Sequence, residues 1–201
     1  MTFFKAFNEI KKKYSDNDLI IYEIIFYLSK KVKNKLSYIE NRNEQIDFSF
    51  DDLSAKCNEY FLLNKPLGSI IKKTKFLGLE IDVFDNVLVP RNDTEFVCLK
   101  AKEEIIKKYK NEKVNIVDLC SGTGNIGIFL KKEIENSDVT CVDINQVSIE
   151  NIKHNAKKNN VSIKVIQGDY FESLINNNLK FDVILMNPPY VSIDELDSTM
   201  T

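Results

Sequence analysis

From residue 113 onward the chain changes period in a regular way, and that alternation constrains the fold more than any other feature. Apolar, β-prone runs at 114–119, 139–142, 163–166 and 181–186 are separated by helix-patterned segments at 124–135 and 147–159 and by a short helical stretch at 171–176. Repeated strand–helix units return the chain to the same edge of a sheet each time, so the strands pair in parallel and helices cover them. In such a sheet ligands bind at the carboxyl ends of the strands. The predicted class is α/β, with a Rossmann-like sheet in the second half of the chain.

The first half reads differently. Apolar positions recur at helical spacing over 3–14 and 19–32, where Ile20, Ile24 and Tyr27 trace one face and Ile21, Ile25, Leu28 and Val32 another. Ser49-Phe-Asp-Asp52 fits a capping box opening a helix through Leu62, and Pro66 suits the start of a further short helix. These elements predict a small helical bundle over 1–74. Residues 75–91 then break into β-prone pieces at 75–79, 81–84 and 87–89. Gly78 and the Asp85-Asn86 pair divide them, which predicts a β-hairpin linker turning at Asp85-Asn86. Asn92-Asp-Thr-Glu95 is a helix-start signature, and it opens the third segment, 92–201.

Composition narrows the class of partner. The 201 residues carry 28 basic and 30 acidic groups, a formal charge of -2, which argues against a protein that holds nucleic acid by an overall positive field. The split is uneven: residues 1–75 sum to +4 and 76–201 to -6. Cys57, Cys98, Cys120 and Cys141 show no CxxC spacing, which predicts reduced thiols, a cytoplasmic setting and no metal. The apolar stretches are too short to span a bilayer. The 22 Asn, with many Lys and Ile, read as genome bias and carry no functional signal of their own. His154, the one histidine, is read as a surface residue of the helix after Asp143. The lysine runs 11–13 and 30–35 read as solvated helix faces.

Two constellations carry chemistry. The first is Asp118-Leu-Cys120-Ser121-Gly122-Thr123-Gly124-Asn-Ile-Gly127, a glycine loop joining strand to helix, followed about 20 residues later by Asp143 at the next strand end. A carboxylate there can accept hydrogen bonds from both hydroxyls of a ribose, so a dinucleotide reading has to be weighed. Asp118 speaks against it, because a negative charge before the glycines repels a pyrophosphate and favours a ligand carrying an ammonium and a sulfonium. Asp169 and Tyr170 follow the third strand, where a carboxylate can meet an adenine amino group and a ring can pack on the adenine face. An ordinary Gly-Asp turn explains those two residues equally well.

The second is Asn187-Pro188-Pro189-Tyr190 after the fourth strand. The consecutive prolines fix a rigid turn. The Asn187 side-chain carbonyl and the Pro188 carbonyl can accept two hydrogen bonds, and the Tyr190 ring offers a flat apolar surface. The set fits a planar nitrogen with two hydrogens on an sp² carbon. Such a nitrogen is a poor nucleophile, and two acceptors on its hydrogens raise its electron density and aim its lone pair.

With these motifs the chain resembles the class I S-adenosylmethionine-dependent methyltransferases, and more narrowly the HemK/PrmC family, which methylates the side-chain amide of a release-factor glutamine. Lys65-Pro-Leu-Gly-Ser-Ile-Ile, Phe76-Leu-Gly-Leu79 and Val87-Leu-Val-Pro-Arg-Asn-Asp-Thr-Glu95 are similar to the family's segments between its helical substrate-docking domain and its catalytic domain. The resemblance covers roughly 65–190. It implies S-adenosylmethionine as cofactor and a peptide-chain release factor as protein partner, with the 1–74 bundle docking that substrate and the chain acting as a monomer. It also implies a cofactor site from Asp118, Cys120, Ser121, Gly122, Thr123, Gly124, Asp143, Asp169, Tyr170 and Asn187, and a glutamine site from Asn187, Pro188, Pro189 and Tyr190. Cys120 stands where the family usually has glycine, and Asn92 where it usually has proline. The family's sheet has seven strands, whereas four are counted here before the sequence stops eleven residues after Tyr190. That leads to the expectation that the catalytic domain is incomplete by about 60 to 90 residues.

Three functions remain open at this stage. The first is transfer of a methyl group to the glutamine of a release factor's Gly-Gly-Gln motif. The second is methylation of an exocyclic nitrogen of adenine, cytosine or guanine, which is also planar and conjugated. The third is an inactive fragment that binds cofactor or a partner, because a fourth strand with an open edge is a liability.

Overall fold

The computed structural model describes residues 1–14, 17–176 and 179–189. It divides into two compact units, Met1–Lys72 and Lys73–Thr201. No helix among the described residues is long and apolar enough to cross a membrane.

The first unit is helical: α1 (Phe3–Lys13), α2 (Asp18–Leu28), α3 (Lys35–Asn41), α4 (Phe50–Phe61) and α5 (Leu67–Ile70). Its core joins Phe3, Phe7 and Ile10 of α1 to Ile21, Ile24 and Ile25 of α2 and Leu53 and Cys57 of α4. The apolar pattern over 19–32 predicts a helix to Val32, but α2 ends at Leu28 because Ser29 captures the chain. The Ser29 hydroxyl accepts from the backbone of Lys31 and Val32, and the Asp47 carboxylate accepts from the backbone of Lys30 and Lys31. Val32 is still fully buried, now as a loop residue. Ser49 caps α4 by accepting from Asp51 N rather than through a reciprocal box. A reciprocal box does occur, unforeseen, at Asn34 and Ser37 of α3.

The second unit opens with a hairpin of β1 (Lys73–Phe76) and β2 (Leu79–Asp82). Its turn is Leu77-Gly78, not Asp85-Asn86. Both turn residues have positive φ, 47° and 80°, the type I′ geometry that matches strand twist. Residues 87–89 form no strand. The hairpin belongs to this unit through a ladder of asparagines on α8 (Gln146–Lys158), continued by its cap Asn159. Asn151 donates to Asp82 O and accepts from Phe84 N, Asn155 accepts from Asp82 N and donates to Asp82 O, and Asn159 donates to Glu80 O. Spacing of four puts the three on one helix face, where their amides satisfy backbone groups that β2 leaves unpaired on its outer edge. Asp82 is further held by Lys158 at 2.6 Å and by His154 at 2.7 Å, which fixes the place of the one histidine.

Helix α6 (Asn92–Tyr109) starts with Arg91, not Asn92, as its N-cap. The sheet then runs β3 (Val114–Leu119), α7 (Asn125–Glu133), β4 (Ser137–Asp143), α8, β5 (Lys164–Gln167), α9 (Glu172–Asn176) and β6 (Val183–Met186). Strand order is β5-β4-β3-β6, all parallel, so the chain crosses over after β5 and β3 sits at the switch point. Residues 114, 116 and 118 of β3 and 139 and 141 of β4 face one way. The apolar ones among them pack with α6, α7, α8 and the hairpin. Val117, Leu119 and Val142 face the other way, onto Leu174 of α9 and its neighbours.

Candidate active site

Parallel register delivers the sequence-predicted residues to one edge. Leu119 pairs with Val142 on one side and with Met186 on the other, and Asp143 pairs with Gln167. The next residues outward are therefore Cys120, Asp143 or Ile144, Gly168 and Asn187. With strands about 4.8 Å apart, Asp143 on β4 and Asn187 after β6 lie on the order of 10 Å from each other across β3.

The glycine loop is tied down from both ends. Ser121 Oγ donates to Asp118 O at 2.7 Å and accepts from Val142 N at 3.1 Å, which locks the loop onto the ends of β3 and β4. Thr123 O accepts from Asn155 Nδ2 at 2.9 Å, so the ladder that holds the hairpin also holds the loop. Thr123 Oγ1 donates to Asn125 Oδ1 at 2.9 Å at the start of α7. Cys120, Gly122 and Gly124 have φ of 56°, 54° and 79°, so Cys120 adopts the left-handed conformation that glycine takes most readily. Gly127 is required for space. A Cβ there would fall onto Cys141 Sγ and within 3.3 Å of Val139 Cγ1, so α7 can lie this close to β4 only with glycine.

Asp143 is half-buried and both of its oxygens are already oriented. Oδ2 accepts from Gly122 N at 2.8 Å and Oδ1 from Asn145 N at 2.9 Å. Each oxygen has lone pairs beyond those bonds, the donor–acceptor pattern that a vicinal diol needs.

Asp118 is placed otherwise than the charge argument expects. Its carboxylate is fully buried under α7. Oδ2 accepts from Gly127 N at 3.1 Å and lies 3.9 Å from Cys141 Sγ, whereas Oδ1 has no hydrogen-bond partner. Burial pushes its carboxyl from the ordinary 3.8 up to about 7, against the bond from Gly127 that favours the charged form. Its parity with Val114 and Ile116 puts it on the helix-covered face, so it supports the loop from below.

Tyr170 is exposed, with a φ of 37°, and its hydroxyl sits beside the Cys120 thiol. Burial raises the pKa of that thiol, partly offset by the Tyr170 hydrogen bond. Asp169 is exposed, and its backbone carbonyl accepts from Glu172 N. Asn187 and Pro188 are half-buried and Pro189 is exposed. Tyr190 lies outside the described residues.

A contact that the motifs do not announce is Thr94 with Asn187. Thr94, in the first turn of α6, is 8% exposed, and Asn187 Nδ2 donates to its Oγ1 at 3.3 Å. In the same turn Glu95 Oε1 accepts from Leu77 N at the hairpin turn, at 3.0 Å. The segment Asn92-Asp-Thr-Glu95 reads as a helix start and as part of the resemblance over 87–95, and neither reading pairs Thr94 with Asn187. An open groove of about 450 Å³ near Asp138–Thr140 lies at the opposite, amino-terminal edge of the sheet, away from these residues.

Comparison with known proteins places the chain. The methyltransferase small-domain family matches residues 101–201. The release factor glutamine methyltransferase of Fusobacterium nucleatum is 33% identical over 207 residues, covering 98% of this chain and 55% of that protein. The protein of the same name from Dictyoglomus turgidum is 31% identical, over 85% of this chain and 67% of that one. The ribosomal protein uL3 glutamine methyltransferase of Francisella tularensis is 35% identical, over 68% of this chain and 43% of its own. The chain thus spans about half the length of the first of these relatives. By these matches the chain belongs to the methyltransferase small-domain family, and it is similar to glutamine methyltransferases named for release factors and for ribosomal protein uL3.

Proposed function

We propose that this chain carries the cofactor site and the amide-binding turn of a protein glutamine methyltransferase, with the Gly-Gly-Gln glutamine of a peptide-chain release factor as substrate. One observation carries the reading: parallel register sets the oriented Asp143 carboxylate, the loop 120–124 and Asn187-Pro188-Pro189 on adjacent strand ends of one sheet edge. S-adenosylmethionine fits the groups present, because Asp143 offers two oriented acceptors to a ribose and the exposed Tyr170 ring offers a face to an adenine. Bound there, it supplies an electrophilic methyl group on a sulfonium.

The chain's own part is alignment. Asn187 Oδ1 and the Pro188 carbonyl accept the two hydrogens of the substrate amide, which turns the nitrogen lone pair outward and raises its electron density. The nitrogen gains the methyl carbon as the methyl–sulfur bond breaks, and one amide proton is then lost. Asn187 is neutral and takes up no proton, so that proton leaves to water. The helical unit of residues 1–72 docks the protein substrate in this reading.

The test is incubation with methyl-labelled cofactor and a release factor whose glutamine is intact or replaced. Labelling of the intact protein alone is the expected result, and equal labelling of both refutes the substrate. The name of the Francisella relative favours a second reading, a glutamine of ribosomal protein uL3, and labelling of uL3 in preference to the release factor would select it. Labelling of RNA or DNA but not protein would turn the assignment to exocyclic amines.

A further inference from the structure

We propose that Thr94 is a positioning residue for methyl transfer: its hydroxyl holds the Asn187 amide in the one rotamer that presents Oδ1, not Nδ2, to the substrate nitrogen. The inference rests on the glutamine reading above and deepens it. A primary amide can turn over about its last bond at little cost, and the two orientations are opposite in chemistry, since one accepts and the other donates. A donor facing the substrate NH2 would repel it. The site therefore needs something that tells the two ends of Asn187 apart.

Thr94 Oγ1 does so by accepting from Asn187 Nδ2 at 3.3 Å. The acceptor is buried, at 8% exposure, where water competes poorly for the bond. It is also rigid. Thr94 stands in the first turn of an 18-residue helix, its N bonded to Arg91 O, and its β-branched side chain has few rotamers. The adjacent Glu95 carboxylate fixes the same turn to the hairpin through Leu77 N. The orienting group is thus built on a helix, while the group it orients sits in the proline-containing segment after the last described strand.

The test uses the full chain, with Thr94→Val to remove the hydroxyl at constant shape and Thr94→Ser to keep it. Steady-state transfer to the glutamine substrate should lose roughly tenfold in kcat for Thr94→Val, the rate equivalent of one buried hydrogen bond, with little change in KM. Thr94→Ser should recover to within about threefold. Calorimetric affinity for S-adenosylhomocysteine should stay within about twofold for both, because neither change touches the cofactor loop. Independently of activity, the Asn187 side-chain amide protons should exchange slowly with solvent in wild type and Thr94→Ser and quickly in Thr94→Val. An active wild type with Thr94→Val unchanged in kcat overturns the inference alone. Equal loss in the Val and Ser variants also overturns it, since keeping the hydroxyl would then give no advantage over losing it. A wild type that keeps the protected amide but transfers no methyl to any glutamine removes the proposed function, and the positioning role with it.

Discussion

Replacing Asp118 by asparagine should change not only how stable the second unit is but how its stability depends on pH. The wild-type carboxyl is fully buried, one oxygen has no partner, and its pKa stands at about 7 against an ordinary 3.8. Well below pH 4 the group is protonated in both folded and unfolded chains and contributes no pH dependence. Between about 4 and 7 the unfolded chain releases the proton and the folded chain keeps it, so stability falls as pH rises. Above about 7 both forms are ionised and the loss is complete. At about 1.4 kcal/mol per pH unit the full effect is roughly 4 kcal/mol, of which roughly 3 kcal/mol falls between pH 5 and 8. Asparagine keeps the shape and the acceptor for Gly127 N, but it places an NH2 where Oδ1 had no partner, at a cost of about 1–3 kcal/mol. The variant should therefore gain on the wild type by roughly 3 kcal/mol from pH 5 to pH 8 and be the stronger protein at pH 8. Urea unfolding of both proteins across that range measures the difference, which cancels the titration of every other group. A difference that stays flat, or that moves against the variant as pH rises, would refute the argument that burial outweighs the helix N-terminus at this carboxyl.

Three further outcomes follow from the geometry. Gly127→Ala should destabilise by roughly 1–3 kcal/mol in urea unfolding, although alanine is the better helix former, and Cys141→Ala in the same chain should recover most of it; simple additivity of the two changes would show that the clash is not the cause. Asn155→Ala removes bonds to Asp82 and to Thr123 O together and should cost about 2–4 kcal/mol, with faster amide exchange at both the hairpin and the loop; loosening at one alone would show that the two are not joined through it. Asp143→Asn should weaken S-adenosylhomocysteine binding by roughly 10- to 100-fold in calorimetric titration, and unchanged affinity would take Asp143 out of the site.

What the sequence shows directly is what local period controls. The four strands of the sheet and the helices between them appear as alternating apolar runs, and the glycine loop and Asp143 stand at the strand ends that this alternation requires. What it hides depends on depth and on partners distant in the chain. Asp118 is one residue from the strand end and reads as a charge facing a ligand, yet it shares parity with Val114 and Ile116 and is buried with them. Asn151, Asn155 and Asn159 have a spacing of four that is visible in the sequence. They are lost there among many other asparagines, and only the outer edge of β2 reveals what they bond. Helix α2 stops short of its apolar pattern because Ser29 and Asp47 compete for the backbone, a contact over many residues that periodicity does not encode. Thr94 meets Asn187 across more than ninety residues, and each looks complete in its own motif.

Locating the transferred methyl group decides whether Asn187-Pro188-Pro189 presents its acceptors to a side-chain amide. After incubation with S-adenosylmethionine, fragment mass spectrometry of the release factor should place the added carbon on the amide nitrogen of the Gly-Gly-Gln glutamine. A methyl group found on a different side-chain type or on a nucleobase amine, with that glutamine untouched, would contradict the account.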